Sequence, residues 1–129
     1  MNRVKALWGP VFAYMAALLV AQLWPNVPSP PRGLNDKDEH FFFYGILGVL
    51  VLRALSKGQW RRVTVATALG AIAYASSYGV FLEFCQRLSP PRSYEVLDMV
   101  ADTIGAAIAV GLAWAWSIIR RRSETPDAL

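Results

Sequence analysis

Long apolar stretches separated by short polar segments dominate the chain. Residues 6–31 run for 26 positions without a charge, residues 63–82 for 20 and residues 103–119 for 17. A helix needs about 20 residues to cross a hydrocarbon layer of about 30 Å. The first two stretches reach that length unaided, and Pro25 marks where the first helix should stop. The third reaches it if its helix begins near Val96. A fourth apolar run, residues 41–52, has only 12 positions. It spans only by starting near Asp36 and finishing near Ser56, which draws Asp36-Lys37-Asp38-Glu39-His40 into its head. The pattern predicts an all-α integral membrane bundle of four transmembrane helices, near 5–24, 36–56, 63–85 and 96–119. One domain covers 1–129, with 120–129 as a short cytoplasmic tail. Arg3 and Lys5 precede the first run, but no A-x-A-like cleavage site follows it, so it reads as a retained signal anchor.

Composition narrows the class in the same direction. Of 129 residues, 55% are hydrophobic and only 17% charged, against about 25% charged in ordinary soluble domains. A domain this small has too little polar surface to cover a core in water. Cys85 is the only cysteine, which excludes a disulfide scaffold, and the apolar content excludes intrinsic disorder.

Charge then sets an orientation. Nine of the 13 Lys and Arg fall at the N-terminus, between the second and third helices, and at the C-terminus (Arg3, Lys5, Arg53, Lys57, Arg61, Arg62 and Arg120–Arg122). The other two connections hold four: Arg32, Lys37, Arg87 and Arg92. Cytoplasmic loops carry the excess of Lys and Arg, so both termini are expected in the cytoplasm of a bacterial inner membrane. The basic pI is thereby accounted for without a nucleic-acid partner. Seven of the nine acids and six of the eight prolines lie on the opposite side, so any chemistry faces outward. Trp24 and Tyr94 suit the outer interfacial belt, and Trp8, Trp60, Trp114 and Trp116 the inner one. Ser29-Pro30-Pro31-Arg32 recurs as Ser89-Pro90-Pro91-Arg92, but the flanks do not match, which argues against a duplicated hairpin.

Ionisable groups inside membrane spans are costly unless paired or hydrated, which makes them functional candidates. Asp36, His40 and Tyr44 follow an i, i+4, i+8 row down one helix face. Asp36 and Glu39 also fit a capping box. His40, the single histidine, is either a helix-packing residue or a proton shuttle. Glu83 and Gln86 sit at i, i+3 after twenty uncharged residues. They form either an interhelical hydrogen-bond pair or a desolvated acid/base site. Asp98, Asp102, Gly105 and Ala109 share a face, with Gly105 and Ala109 as a small-xxx-small strip for close helix approach. Asp98 either pairs with Arg92 or joins the site.

Taken together, these groups resemble the VanZ-like family of small bacterial membrane proteins. The resemblance rests on Asp36-Lys37-x-x-His40-Phe41-x-x-Tyr44-x-x-Leu47-Gly48, then Gly79-x-x-x-Glu83-x-x-Gln86, Arg92, Asp98 and Gly105, and covers roughly residues 5 to 115. It implies a compact helical membrane fold and a link to glycopeptide (teicoplanin) resistance, with no particular reaction attached. The family pattern commonly has Asn at the place of Asp102 and a second Gly at the place of Ala109.

Two function classes follow. In the first, the protein is an enzyme at the extracytoplasmic face, acting on a phosphate-bearing lipid or cell-envelope precursor by acid/base hydrolysis or group transfer. His40, Glu83, Asp98 and Asp36 would do the proton work. Lys37, Arg92, Tyr44, Gln86 and Asp102 would bind, with two helix N-termini offering N–H groups to an anionic head group. In the second, it is a lipid-binding protein or a non-catalytic accessory subunit of a larger membrane complex or homo-oligomer. No metal-ligand motif such as H-E-x-x-H is present and no cofactor is assigned. One His among several carboxylates would suit a hard or borderline divalent cation.

Overall fold

A computed structural model describes residues 2–23, 36–88 and 96–124, with backbone alone at Asp36 and Lys37. Four long helices make up most of it: α1 (Arg3–Leu23), α2 (Asp36–Leu55), α3 (Val65–Arg87) and α4 (Val96–Glu124). A single 3-10 turn, Trp60–Arg62, precedes α3, and the described residues contain no strand. The connections bearing Trp24, Pro25, Arg32, Arg92, Tyr94 and both Ser-Pro-Pro-Arg copies lie outside the described residues, as do the side chains of Asp36 and Lys37.

Several helix boundaries have a local cause. Thr64 caps α3: its Oγ1 accepts from Thr67 N–H at 3.1 Å, and Thr64 N–H donates to Thr67 Oγ1 at 2.8 Å. Two of the orphan N–H groups of a helix start are thereby satisfied. At the end of α2, Lys57 and Gly58 take positive φ (57° and 73°), and Gly58 N–H returns to Arg53 O at 2.8 Å. Pro10 sits inside α1 and cannot donate to the Ala6 carbonyl one turn back; Arg53 Nη1 approaches that carbonyl at 3.4 Å instead. The expected tail turns out helical as far as Glu124. Arg120 lies over the Trp60 and Trp116 rings (5.7 and 5.4 Å to the centroids), and Glu124 pairs with Arg61. Cations also suit the negative end of a helix.

Three of the helices, α1, α3 and α4, are long and apolar enough to cross a membrane. The fourth, α2, has 20 residues, but polar residues occupy its first turn and Arg53 its last. Exposure is inverted relative to a soluble protein. Phe12 (58%), Leu69 (61%) and Leu112 (68%) face outward, while Glu83 and Asp102 are at 0%. A continuous apolar exterior of this kind is stable in lipid and aggregates in water.

Packing centres on α2 and α4, which run parallel. Gly45 faces the Gly105 carbonyl and Ala109, and Gly48 faces Ala106 and Val110, so the small-residue strip does bring two backbones together. Helix α3 runs antiparallel to both and closes on α4 through Gly79 and Asp102. Helix α1 covers α2 and α3 from outside. Tyr14 OH donates to Phe43 O at 2.7 Å and Tyr78 OH to Met15 O at 2.6 Å. Arg3 Nη2 donates to Lys57 O at 2.8 Å and Arg61 pairs with Glu124, which together set the start of α1, the α2–α3 turn and the end of α4 at one end of the bundle. The polar residues gather at the other.

Candidate functional site

Three helices each deliver polar side chains to that second end. His40 lies one turn into α2, Glu83 and Gln86 in the last turns of α3, and Asp98 and Asp102 in the first two turns of α4. All five are buried. Parallel α2 and α4 bring their N-terminal turns together, and antiparallel α3 brings its C-terminal turns to meet them.

His40 is the hub. Its Nδ1 lies 2.7 Å from Asp102 Oδ1, and its Nε2 lies 3.4 Å from Asp98 Oδ2. An ionised carboxylate can only accept, so Asp102 holds the hydrogen on Nδ1 and orients the ring. Ligand-type atoms of His40, Glu83 and Asp98 all lie within 4.8 Å of one another, so this trio is the one among the described residues able to hold a metal ion. Tyr44, one turn below, stacks on the His40 ring with centroids 5.9 Å apart and planes 4° from parallel.

Gly79 makes this approach possible. A Cβ there would overlap Asp102 Oδ2 and lie 3.0 Å from its Cγ. Only a glycine lets the Asp102 carboxyl lie against α3 while it holds His40. Gly105 acts similarly toward α2: a Cβ there would overlap the Phe41 carbonyl oxygen.

Of the candidate site residues, the structure brings His40, Glu83 and Asp98 together, with Asp102 among them; Arg92 lies outside the described residues. Asp98 faces His40; whether it also meets Arg92 lies outside the described residues, as do the side chains of Asp36 and Lys37. Of the Asp36–His40–Tyr44 row, the last two share the buried face. Gln86 turns toward α1, donating from Nε2 to Gln22 O at 2.9 Å. Gln22 itself was not legible as a site neighbour. It is buried, and its Nε2 donates to Tyr44 OH at 3.1 Å, which ties α1 to the layer beneath His40. The signal available was a lone amide near the end of an otherwise apolar run.

The uncharacterized protein C11E3.10 of Schizosaccharomyces pombe (strain 972) is 26% identical over 97 residues, covering 75% of this chain and 57% of the relative. The chain thus spans little more than half the length of the curated relative it matches, and that relative is fungal. No solved structure matches the chain. Residues 11–119, which take in the larger part of each long helix and all five buried polar residues of the site, match VanZ/LLP1, and the chain belongs to that family of proteins.

Proposed function

We propose that the protein works at the extracytoplasmic face of a bacterial cytoplasmic membrane, on a phosphate-bearing lipid or cell-envelope precursor, by acid/base hydrolysis or group transfer. The observation that carries this reading is the His40 environment. One carboxylate fixes the ring through Nδ1, a second faces Nε2, and Glu83 stands beside them. A histidine oriented in this way can take a proton at Nε2 and hand it on, the work of a general acid/base group. The Lys/Arg bias supports four spans with both termini in the cytoplasm, which puts the polar end outward. Lys37 and Arg92 are the cations to hold an anionic head group, aided by the N-termini of α2 and α4.

A second reading, a non-catalytic accessory subunit or lipid-binding protein, draws on the complete burial of Glu83 and Asp102. Buried interhelical hydrogen bonds can serve packing alone, at about 0.6 kcal/mol each.

Shape-preserving substitutions separate the two readings. Glu83→Gln and Asp98→Asn keep volume and hydrogen bonding but remove the ionisable carboxyl. If the carboxyls move protons, release of phosphate-bearing head groups from labelled lipid in proteoliposomes falls at least 100-fold while thermal stability persists. Susceptibility to envelope antibiotics in cells shifts with it. Full turnover in both variants would leave the accessory reading ahead. So would wild-type protein that yields no turnover and co-purifies in mild detergent with a stoichiometric set of proteins.

A further inference from the structure

We infer that His40, Glu83 and Asp98 form a binding site for a divalent transition-metal cation, such as Zn2+ or Mn2+, with Asp102 holding the histidine from behind. The argument lies in the asymmetry of the two histidine contacts. At Nδ1 the separation from Asp102 Oδ1 is 2.7 Å, the length of a charge-assisted hydrogen bond. At Nε2 the separation from Asp98 Oδ2 is 3.4 Å, too long for such a bond. It is the distance expected between two atoms that share one ion. A nitrogen and an oxygen each about 2.1 Å from a tetrahedral ion stand about 3.4 Å apart.

The tautomer agrees. With the hydrogen on Nδ1, the ring can offer Nε2 to an ion shared with Asp98. A metal-bound histidine that donates its other N–H to a carboxylate is the usual orienting arrangement around such ions, and Asp102 occupies that role. Glu83 comes from a third helix, and its carboxylate lies within 4.8 Å of both other donors. It reaches a common ion with a shift of roughly 1 Å. One imidazole with two carboxylates suits borderline and hard divalent ions and disfavours soft ones. The site would also clamp α2, α3 and α4 together, since each contributes one ligand.

With an ion bound, Nε2 is a ligand and not the proton acceptor of the lipid reading, so the two describe different states of the site; the test uses no lipid and no turnover, so either can fail without the other. Full-length protein carrying a tag without histidine is purified in mild detergent, stripped with a chelator and refilled with Zn2+, Mn2+ or Co2+. The expected result is about one equivalent per chain, with visible absorption bands for Co2+. His40→Ala and Asp98→Asn should lose that equivalent. Asp102→Ala should weaken binding about 10- to 100-fold. Thr103→Ala, at an exposed position on α4, should leave binding unchanged.

A second measurement needs no variant. His40 is the single histidine, so 15N-histidine labelling gives one pair of ring signals; Zn2+ should move Nε2 and leave Nδ1 protonated. Stripped wild-type protein that takes up none of the three metals overturns the inference. So does metal uptake that leaves the Nε2 signal in place, or uptake equal to wild type in a folded His40→Ala variant.

Discussion

Gly79→Ala is the substitution that tests most directly how the fold holds its site. The added methyl would overlap Asp102 Oδ2 and lie 3.0 Å from Cγ and 3.2 Å from Cβ, against a favourable carbon–carbon contact of about 3.5–4.0 Å. The Asp102 side chain must therefore retreat by about 0.5–1 Å. Its bond to His40 Nδ1, now 2.7 Å, would lengthen past the range of a good hydrogen bond. Losing it costs about 1.5–2 kcal/mol, between the upper end for interhelical bonds in membranes and the lower end for bonds to charged groups. Residual crowding adds about 1–3 kcal/mol. The better helix propensity of Ala returns about 1 kcal/mol. The net loss is about 1.5–4 kcal/mol, roughly a 10- to 900-fold shift in the folding equilibrium.

A double-mutant cycle with Asp102→Ala isolates the cause. Without the carboxyl there is no bond to lose and little to collide with, so Gly79→Ala on that background should be neutral or mildly stabilising. The two changes should couple by about 2.5–5 kcal/mol in equilibrium unfolding of the purified chain in mixed micelles, the sum of the lost bond and the crowding. Costs that add to within about 0.5 kcal/mol would refute the contact as the reason for a glycine at 79.

Four further outcomes are expected. Gly105→Ala places its methyl against the Phe41 backbone, 2.8 Å from C and 2.9 Å from Cα. Since α2 cannot rotate its backbone away, the melting temperature should fall well below that of Gly111→Ala, where a Cβ meets nothing within 4 Å. Equal melting of the two would remove the close α2–α4 approach. Tyr44→Phe deletes only the hydroxyl bonded to Gln22, so unfolding should be easier by about 0.6–1.7 kcal/mol, with site activity retained; lost activity at unchanged stability would make Tyr44 a binding group. Asp102→Asn keeps a carbonyl oxygen able to accept from His40 Nδ1, so head-group turnover should stay within tenfold of wild type. A larger loss would show that the charge itself is needed. On a Cys85→Ser background, Ser123→Cys should label only from the cytoplasm and Ser29→Cys only from outside. Labelling of both from one side would overturn the topology.

Periodicity, length and charge were enough to read the helical elements, because a chain with this apolar content has few other ways to satisfy its backbone groups in lipid. Four helices were expected near their observed starts, with α2 beginning at Asp36 and α4 at Val96. The small-residue strip was legible too, since Gly105 and Ala109 repeat at helical spacing. So was the concentration of polar groups at one end, because helices that alternate in direction must return Asp36–His40, Glu83–Gln86 and Asp98–Asp102 to the same level. What spacing could not supply was partnership across helices. One-dimensional periodicity fixes which residues share a face, whereas contact depends on how each helix is rotated and how far apart the axes sit. Those quantities are set by where two backbones can touch, here at Gly79 against Asp102 and Gly105 against Phe41. That packing made Asp102 the holder of His40, turned Gln86 to the Gln22 carbonyl rather than to Glu83, and ran α4 on to Glu124 to meet Arg61. The sequence by itself determined a helical membrane bundle with its acids at one end; which carboxylate holds the histidine through Nδ1, and which one faces its Nε2, was decided by two glycines that let the helices close.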